Sequence, residues 1–131
     1  MLLVLGFDQF SKDSAHLFGF ATSLNTGVSF SLFSSVSAEV LTLVLLLCIF
    51  GLWYKLQYFW QKNQLAAGFF FGGGISNILD RALYGGVRDW LPVPGASISN
   101  NLADWAIGIA ILLLLISTVQ TTQKHKHARS I

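Results

Sequence analysis

The sequence has little charge. Only 11% of its 131 residues are Asp, Glu, Lys or Arg, against about 25% in an average soluble domain, and 53% are apolar. We therefore predict a membrane protein, folded as a single domain over residues 1–131. The net charge is only +2, and no basic stripe is interleaved with aromatic residues. These two features exclude nucleic acid as a predicted partner.

Cysteine and metal-ligand patterns are scarce as well. Cys48 is the only cysteine, so an intrachain disulfide is impossible, and its apolar surroundings predict a packing role. His16, His125 and His127 follow no metal-ligand spacing such as HExxH. We predict neither a metal nor any other cofactor. The absence of a GxxxxGK[ST] motif excludes a phosphate-binding loop of that kind.

Four apolar segments approach the roughly 20 residues that a membrane-spanning helix needs. They are residues 1–20, 38–54, 64–83 and 102–119. The sequence thus predicts an all-α membrane protein with four transmembrane helices and short extracytoplasmic loops. The first span is the weakest, because the roughly 11 residues before Lys12 extend only about 16 Å at 1.5 Å each. Either the chain lacks its start or this helix lies unusually deep in the bilayer.

Basic residues predict the orientation of the spans. One cluster flanks the connection between the second and third spans, and another follows the fourth span. The first cluster is Lys55 and Lys62, and the second is Lys124, Lys126 and Arg129. Short cytoplasmic segments carry an excess of such residues, so both clusters and both chain termini are predicted to be cytoplasmic. The connections at 21–37 and 84–101 then face outward.

With this topology, polar residues collect on the outer side of the membrane. They are Asn25, Asn77, Asp80, Arg81, Asp89, Asn101 and Asp104. An aspartate inside a spanning segment costs about 2.5–3.5 kcal/mol on insertion scales, which indicates a functional site. Each residue alone has a structural explanation: Asp104 suits a helix N-terminus, and Asp80 with Arg81 suits an interfacial ion pair. Their convergence at one interface favours a site.

The aspartates suggest a chemistry for that site. Two aspartates that approach each other in a partly dry environment cannot both ionise easily, so the pair shares a proton. Such a pair holds a base and an acid at the same pH. It can activate water against an amide and protonate the leaving amine, as in aspartic peptidases. No serine–histidine pair or metal-ligand set in the sequence competes for this role.

Several short motifs run in order through nearly the whole chain. They are DQFSK at 8–12, NTGVSFS at 25–31, GGGISNILDR at 72–81, GGVRDW at 85–90 and NLADW at 101–105. They resemble DQxxK, NTGxxFS, GGxxGNxxDR, GxVxDF and FNxAD of the lipoprotein signal peptidases, or signal peptidase II, of bacterial membranes. Each motif is short, but their joint occurrence is specific.

The resemblance implies an aspartic endopeptidase that removes signal peptides from diacylglyceryl-modified prolipoproteins, cutting before the lipidated cysteine. It assigns the catalytic dyad to Asp89 and Asp104. The implied substrate-binding or supporting residues are Asn25, Asn77, Asp80, Arg81, Asn101 and Asp8. In this assignment Asp80 orients Arg81, which holds a substrate carbonyl or the surroundings of the dyad. Asp8 braces the site from the first helix, and Asn25 contacts the substrate backbone.

The resemblance also implies a place and partners for the protein. It implies a multi-pass protein of the bacterial inner membrane, acting as a monomer, with its active site toward the extracytoplasmic face. Its partners are a prolipoprotein with a diacylglyceryl-cysteine and membrane lipids, and the cyclic peptide globomycin is expected to inhibit it. The outer segment FSLFSSV at 30–36 is either a lid over the peptide or the start of the second helix.

The chain departs from the family pattern in a few places. Ser76 replaces a glycine, and Trp90 and Asn100 replace phenylalanines. The connection from Lys12 to Asn25 is short where the family builds a small extracellular sheet. Two other interpretations stay open: a non-enzymatic membrane module that binds a partner helix, and a degenerate peptidase that binds lipidated segments without cutting them.

Overall fold

The structure, a computed structural model, describes residues 1–27, 36–96 and 98–128. The predicted lid, residues 30–36, lies outside this description except for Val36. The described elements are α1 Leu2–Ser14, a 3-10 turn Ala15–Phe18, β1 Ser23–Asn25, α2 Ala38–Lys55, α3 Gln57–Lys62, α4 Gln64–Tyr84, β2 Val87–Asp89, β3 Leu91–Pro92, β4 Ser99–Asn100 and α5 Leu102–Ala128. The chain is mostly helical, as predicted.

Helix α4 is the centre of the fold, and it packs against α5, α1 and α2. Three consecutive glycines make this possible. A Cβ on Gly72 would lie 2.8 Å from Val4 of α1, and a Cβ on Gly73 would lie 2.5 Å from the carbonyl oxygen of Ala103 in α5. A Cβ on Gly74 would meet α2. Successive helical residues point about 100° apart, so each glycine admits a different neighbouring helix.

The first predicted span, residues 1–20, is interrupted in the structure. Helix α1 ends at Ser14, and the 3-10 turn that follows ends at Gly19. Gly19 has φ of 77°, a left-handed conformation that glycine adopts without steric cost and that stops the helix. The 13 residues of α1 therefore extend only about 20 Å. Helices α2, α4 and α5 begin at residues 38, 64 and 102, where the other predicted spans begin.

The outer surface of the helices is apolar. Leu3, Phe7, Leu47 and Phe50 are among the large apolar side chains that are more than half exposed. A patch of this extent needs a partner other than water. Within the described part of the chain, one helix contains a stretch long and apolar enough to cross a membrane by length and composition, Leu102–Gln120 of α5. The four spans and the cytoplasmic termini stay predictions.

The outer connections, predicted as plain loops, contain short strands. Strands β1 and β2 pair antiparallel, with Asn25 opposite Val87 and Ser23 opposite Asp89. Strands β3 and β4 form a second antiparallel pair, which turns at Gly95 and brings the chain back to the start of α5. The all-α prediction is therefore incomplete here. Connections that pack against each other must pair their backbone N–H and C=O groups, and antiparallel strands do so.

Candidate active site

Asp89 lies at the end of β2, where the strand faces the helices. The side chains of Val87 and Asp89 are buried, and Asp89 is only 2% exposed. One Asp89 oxygen, Oδ1, accepts a hydrogen bond of 2.6 Å from Asn101 Nδ2, and Oδ2 accepts one of 3.1 Å from Asn25 Nδ2. Asn25 reaches Asp89 because the β1–β2 register places it diagonally across from this aspartate.

Asp104 lies in the first turn of α5 and is exposed. Asn101 directly precedes this helix, and its Oδ1 accepts a hydrogen bond of 3.0 Å from the Asp104 N–H, which is the usual way a side chain caps a helix N-terminus. The Asp104 carboxylate accepts a hydrogen bond of 2.8 Å from Asn77 Nδ2 of α4. These contacts fix the position of the exposed Asp104 at the edge of a buried polar cluster.

Asn101 joins the two aspartates that the resemblance assigns as a dyad. Its Nδ2 lies 2.6 Å from Asp89 Oδ1 and 3.4 Å from Asp104 Oδ2. Both oxygens are within reach of one nitrogen, so they lie no more than about 6 Å apart. A single water molecule, with hydrogen bonds of about 2.8 Å to each oxygen, fits such a separation.

The three asparagines present their N–H groups to the dyad for a common reason. In each one, the amide oxygen already accepts a hydrogen bond from another donor, so the NH₂ group must face the carboxylates. The donors to Asn25, Asn77 and Asn101 are the Gly27 N–H, the Lys12 ammonium and the Asp104 N–H. The predicted polar residues are thus oriented parts of one network.

Burial shapes the electrostatics of Asp89. Removal of this carboxyl from solvent raises its pKa above the ordinary aspartate value, because the charged form loses hydration. The hydrogen bonds from Asn101 and Asn25 act in the opposite direction and only partly offset this effect. Asp89 therefore accepts a proton more readily than an aspartate in water does.

Asp8, for which the resemblance implies a bracing role, contacts both α4 and α5. It is fully buried, and its Oδ1 accepts a hydrogen bond of 2.8 Å from the Ala103 N–H at the start of α5. Its Oδ2 accepts one of 2.7 Å from the Ser76 hydroxyl of α4. Asp8 thus ties three helices together beside Asp104, and its charge suits the helix N-terminus that it contacts.

Ser76, a departure from the family pattern, is part of this brace. Its hydroxyl donates to Asp8 and accepts a hydrogen bond of 2.9 Å from Gln9 Nε2. Ser76 is fully buried, so both hydrogen bonds form away from water. The second departure, Trp90, packs edge-on against Phe20 with ring centres 5.1 Å apart.

Asp80 differs from its predicted role. It was expected to orient Arg81, but its ion pairs in the described part of the chain are with Lys12 at 3.1 Å and with Arg88 at 3.0 Å. Asp80 is fully buried, so its carboxylate forms these ion pairs away from water. Residues adjacent in a helix point about 100° apart, so Asp80 and Arg81 serve different neighbours.

Arg81 points to the first outer connection. Its guanidinium donates a hydrogen bond of 2.6 Å to the Gly27 carbonyl and one of 3.2 Å to the Asn77 carbonyl. The side chain is buried, and its Nε–H has no hydrogen-bond partner within residues 1–27, 36–96 and 98–128. A buried donor without a partner loses its hydration without compensation. Within those residues, the Arg81 Nε–H is therefore available to a further group.

Four residues at the site were not predicted as site residues: Lys12, Gln9, Ser76 and Arg88. Lys12 is only 2% exposed, and it lies 2.7 Å from Asp8. Its place in DQFSK, four residues after Asp8 and on the same helix face, was the available signal. Arg88 lies in a connection predicted to face outward, where the positive-inside pattern does not place basic residues. Gln9 and Ser76 gave no chemical signal apart from their motifs.

Comparison with known proteins identifies the family. A profile of the family described as signal peptidase (SPase) II matches residues 1–120. A lipoprotein signal peptidase of Campylobacter jejuni subsp. jejuni serotype O:23/36 (strain 81-176) is 36% identical over 112 residues, covering 78% of this chain and 68% of that protein. A lipoprotein signal peptidase of Helicobacter acinonychis (strain Sheeba) is 32% identical, covering 98% of this chain and 90% of that protein.

Solved structures share the fold. A bacterial membrane enzyme solved at 2.3 Å superposes with a TM-score of 0.71 at 22% identity, over 94% of this chain and 87% of that one. A second, solved at 1.9 Å, gives a TM-score of 0.67 at 20% identity, over 89% and 88% of the two chains. Together with the apolar surface, these relatives indicate an integral membrane protein. The chain belongs to the signal peptidase II family, the lipoprotein signal peptidases.

Proposed function

We propose that this protein is an aspartic endopeptidase with Asp89 and Asp104 as its catalytic pair. The observation that carries the proposal is the shared contact of both carboxylates with Asn101 Nδ2, at 2.6 and 3.4 Å. Two carboxylates held this close cannot both ionise freely, so they divide one proton between them. The pair then contains the base and the acid that peptide hydrolysis requires.

The reaction uses one water molecule between the two carboxylates. The ionised member of the pair takes a proton from this water, and the water oxygen bonds to the carbonyl carbon of the scissile amide. The protonated member then gives its proton to the leaving nitrogen as the carbon–nitrogen bond breaks. The proton taken from water remains on the first aspartate, so the pair again holds one proton when the products leave.

The proposed substrate is the signal peptide of a prolipoprotein, cut before its diacylglyceryl-cysteine. Arg81 offers a substrate carbonyl its Nε–H, which has no partner in the described part of the chain, and it is held in place by Gly27 and Asn77. Asn25 lies in β1, where it contacts Asp89 and is only partly buried. It therefore lies at the point where an extended substrate backbone would pass the dyad.

The substrate and the site meet at the outer face of the membrane. We propose that the protein lies in the bacterial inner membrane with Asp89 and Asp104 on the extracytoplasmic side. The acyl chains of the substrate stay in the bilayer while the peptide enters sideways toward Asp104, which is exposed in the structure. Membrane lipids contact the apolar helix surface, and a monomer contains every residue of the proposed site.

The test is cleavage of a diacylglyceryl-modified prolipoprotein by the purified protein. We expect Asp89→Asn and Asp104→Asn each to lower kcat at least about 1,000-fold, because a neutral asparagine can neither take nor give the proton. Glu39→Gln is the matched control: Glu39 is exposed in the first turn of α2, and the cleavage rate of this variant should stay near that of the wild type.

Two outcomes count against the proposal. Turnover at the wild-type rate by either dyad variant would remove that aspartate from the mechanism. Binding of the lipidated peptide by the wild-type protein without any cleavage would instead identify a degenerate, substrate-binding relative. Globomycin should block cleavage and compete with the substrate for the wild-type site.

A further inference from the structure

Arg88 binds two helices at once. Its guanidinium donates to both carboxylate oxygens of Asp80 in α4, at 3.0 and 3.4 Å, and to Gln9 Oε1 of α1 at 2.9 Å. It also forms an ion pair with Asp13 of α1 and lies 4.1 Å above the centre of the Tyr84 ring. A planar guanidinium with several fixed donors suits such a set of acceptors, and lysine cannot reproduce it.

These contacts fix the strand that carries Asp89. The main-chain N–H of Arg88 donates a hydrogen bond of 3.0 Å to Asp80 Oδ2, so backbone and side chain both bind the same carboxylate. Side chains alternate along a strand, and the buried side chains of β2 are those of Val87 and Asp89. Arg88 therefore holds β2 from one side, while Asp89 points into the site on the other.

Arg88 also connects to the second aspartate of the pair. Asp80, which it neutralises, lies 3.1 Å from the Lys12 ammonium. Lys12 donates to Asn77 Oδ1 at 3.0 Å, and Asn77 Nδ2 donates to Asp104 at 2.8 Å. Removal of the Arg88 charge would leave Lys12 as the one cation paired with Asp80 in the described part of the chain, and Lys12 would then be drawn away from Asn77.

We propose that Arg88 is a positioning residue for the catalytic pair. It sets the place of Asp89 through β2 and the orientation of Asn77, and hence of Asp104, through Asp80 and Lys12. The inference rests on the proposed function and adds a residue to it. The motif GxVxDF leaves this position open, so the role follows from the contacts of this chain.

The experiment compares Arg88→Met, Arg88→Lys and, as the matched control, Lys62→Met in the full chain. Arg88→Met should lower kcat about 10- to 100-fold with KM changed less than about threefold, since displacing a catalytic group by about 1 Å can cost 100-fold. Arg88→Lys keeps the charge beside Asp80 and should recover part of the loss. Lys62→Met removes an exposed basic side chain of α3, away from the site, and should stay within about twofold of the wild type. Rates are divided by the number of sites that bind globomycin, which corrects for unfolded protein.

A second measurement does not depend on cleavage. Hydrogen exchange followed by mass spectrometry should show loss of amide protection in β2 of Arg88→Met, while α4 and α5 keep theirs. Unchanged β2 protection, or a kcat within about twofold of the wild type, would overturn the positioning role. A uniform loss of protection across the helices would also overturn it and indicate general stabilisation. An inactive wild type whose β2 loosens in Arg88→Met would contradict the proposed function and support the positioning role.

Discussion

At the residue scale, the site is built from charges and amides that leave few donors unused. The Lys12 ammonium has three donors, and it places them on Asp8, Asp80 and Asn77. Buried ions remain in a protein of low polarity only when they are paired and hydrogen-bonded in this way. The same arrangement fixes the Asn77 amide, so a charge that never touches the dyad determines which atom faces Asp104.

The raised pKa of Asp89 predicts how the stability of the folded protein depends on pH. Its folded-state pKa lies above the ordinary aspartate value, so the folded protein binds more protons than the unfolded chain between those two pKa values. Asp89 contributes fully to the stability of the fold below about pH 4, the ordinary aspartate pKa. This contribution is lost as the pH rises through the folded-state pKa of Asp89. Asp89→Asn should therefore raise the melting temperature at pH 7, and this gain should disappear toward pH 4.

The measurement is thermal unfolding in detergent at a series of pH values. Glu39→Gln is the control, because Glu39 is exposed in the first turn of α2, and it should show no gain at pH 7. A melting temperature for Asp89→Asn below that of the wild type at pH 7 would show that the two amide hydrogen bonds outweigh burial.

At the element scale, close contact between helices positions the aspartates. Gly73 allows the backbone of α5 to approach α4 at Ala103, the residue before Asp104. The same contact brings Asp104 to Asn77, which lies one helical turn beyond Gly73. The hairpin of β3 and β4 completes the site by returning the chain to Asn101 beside Asp89.

Gly73→Ala should therefore separate α4 from α5. Its Cβ would lie 2.5 Å from the Ala103 carbonyl oxygen and 3.0 Å from Ile107. We expect a loss of about 1–3 kcal/mol in the free energy of unfolding and a lower cleavage rate, since Asp104 moves with the helix.

Gly108→Ala is the control for this substitution. In the described part of the chain, no other helix comes within 4 Å of the position that its Cβ would take. The change should be neutral or stabilising by up to about 1 kcal/mol, because alanine restricts the unfolded chain more than glycine does. Equal effects of the two substitutions on unfolding in detergent would contradict this account of the packing.

At the scale of the whole molecule, an apolar exterior surrounds a polar cluster at one end. Helix α3 and the inner basic residues lie at the start of α4, whereas the strands and Asp89 follow its end. If α4 crosses the membrane as predicted, these two regions face opposite compartments. A single domain over residues 1–131 stays a prediction.

The orientation can be tested with single cysteines in a Cys48→Ser background. Ala96→Cys, in the exposed turn of the β3–β4 hairpin, should react with a membrane-impermeant maleimide added outside intact cells. Gln61→Cys, exposed in α3, should react only after the membrane is opened. The reverse pattern of labelling would place the dyad in the cytoplasm and exclude the proposed substrate.

Some features of this protein follow from the sequence by itself. The apolar runs predict where α2, α4 and α5 begin, because a helix that faces lipid needs an uninterrupted apolar stretch. The motifs contain the three asparagines whose side chains donate to the Asp89 and Asp104 carboxylates. Depth along a membrane helix follows directly from residue number, which is why Asn77 and Asp104 could be predicted to lie at one level.

Only the tertiary structure decided which of these residues bind each other. Asp80 pairs with Lys12, 68 positions earlier in the chain, and with Arg88 beyond the helix end, whereas its sequence neighbour Arg81 binds Gly27. A helical sequence gives the depth of a side chain but not which neighbouring helix it faces. That choice depends on how α1, α4 and α5 pack around the glycines, and on the register of β1 against β2. Since these arrangements join segments far apart in sequence, no local pattern contains them.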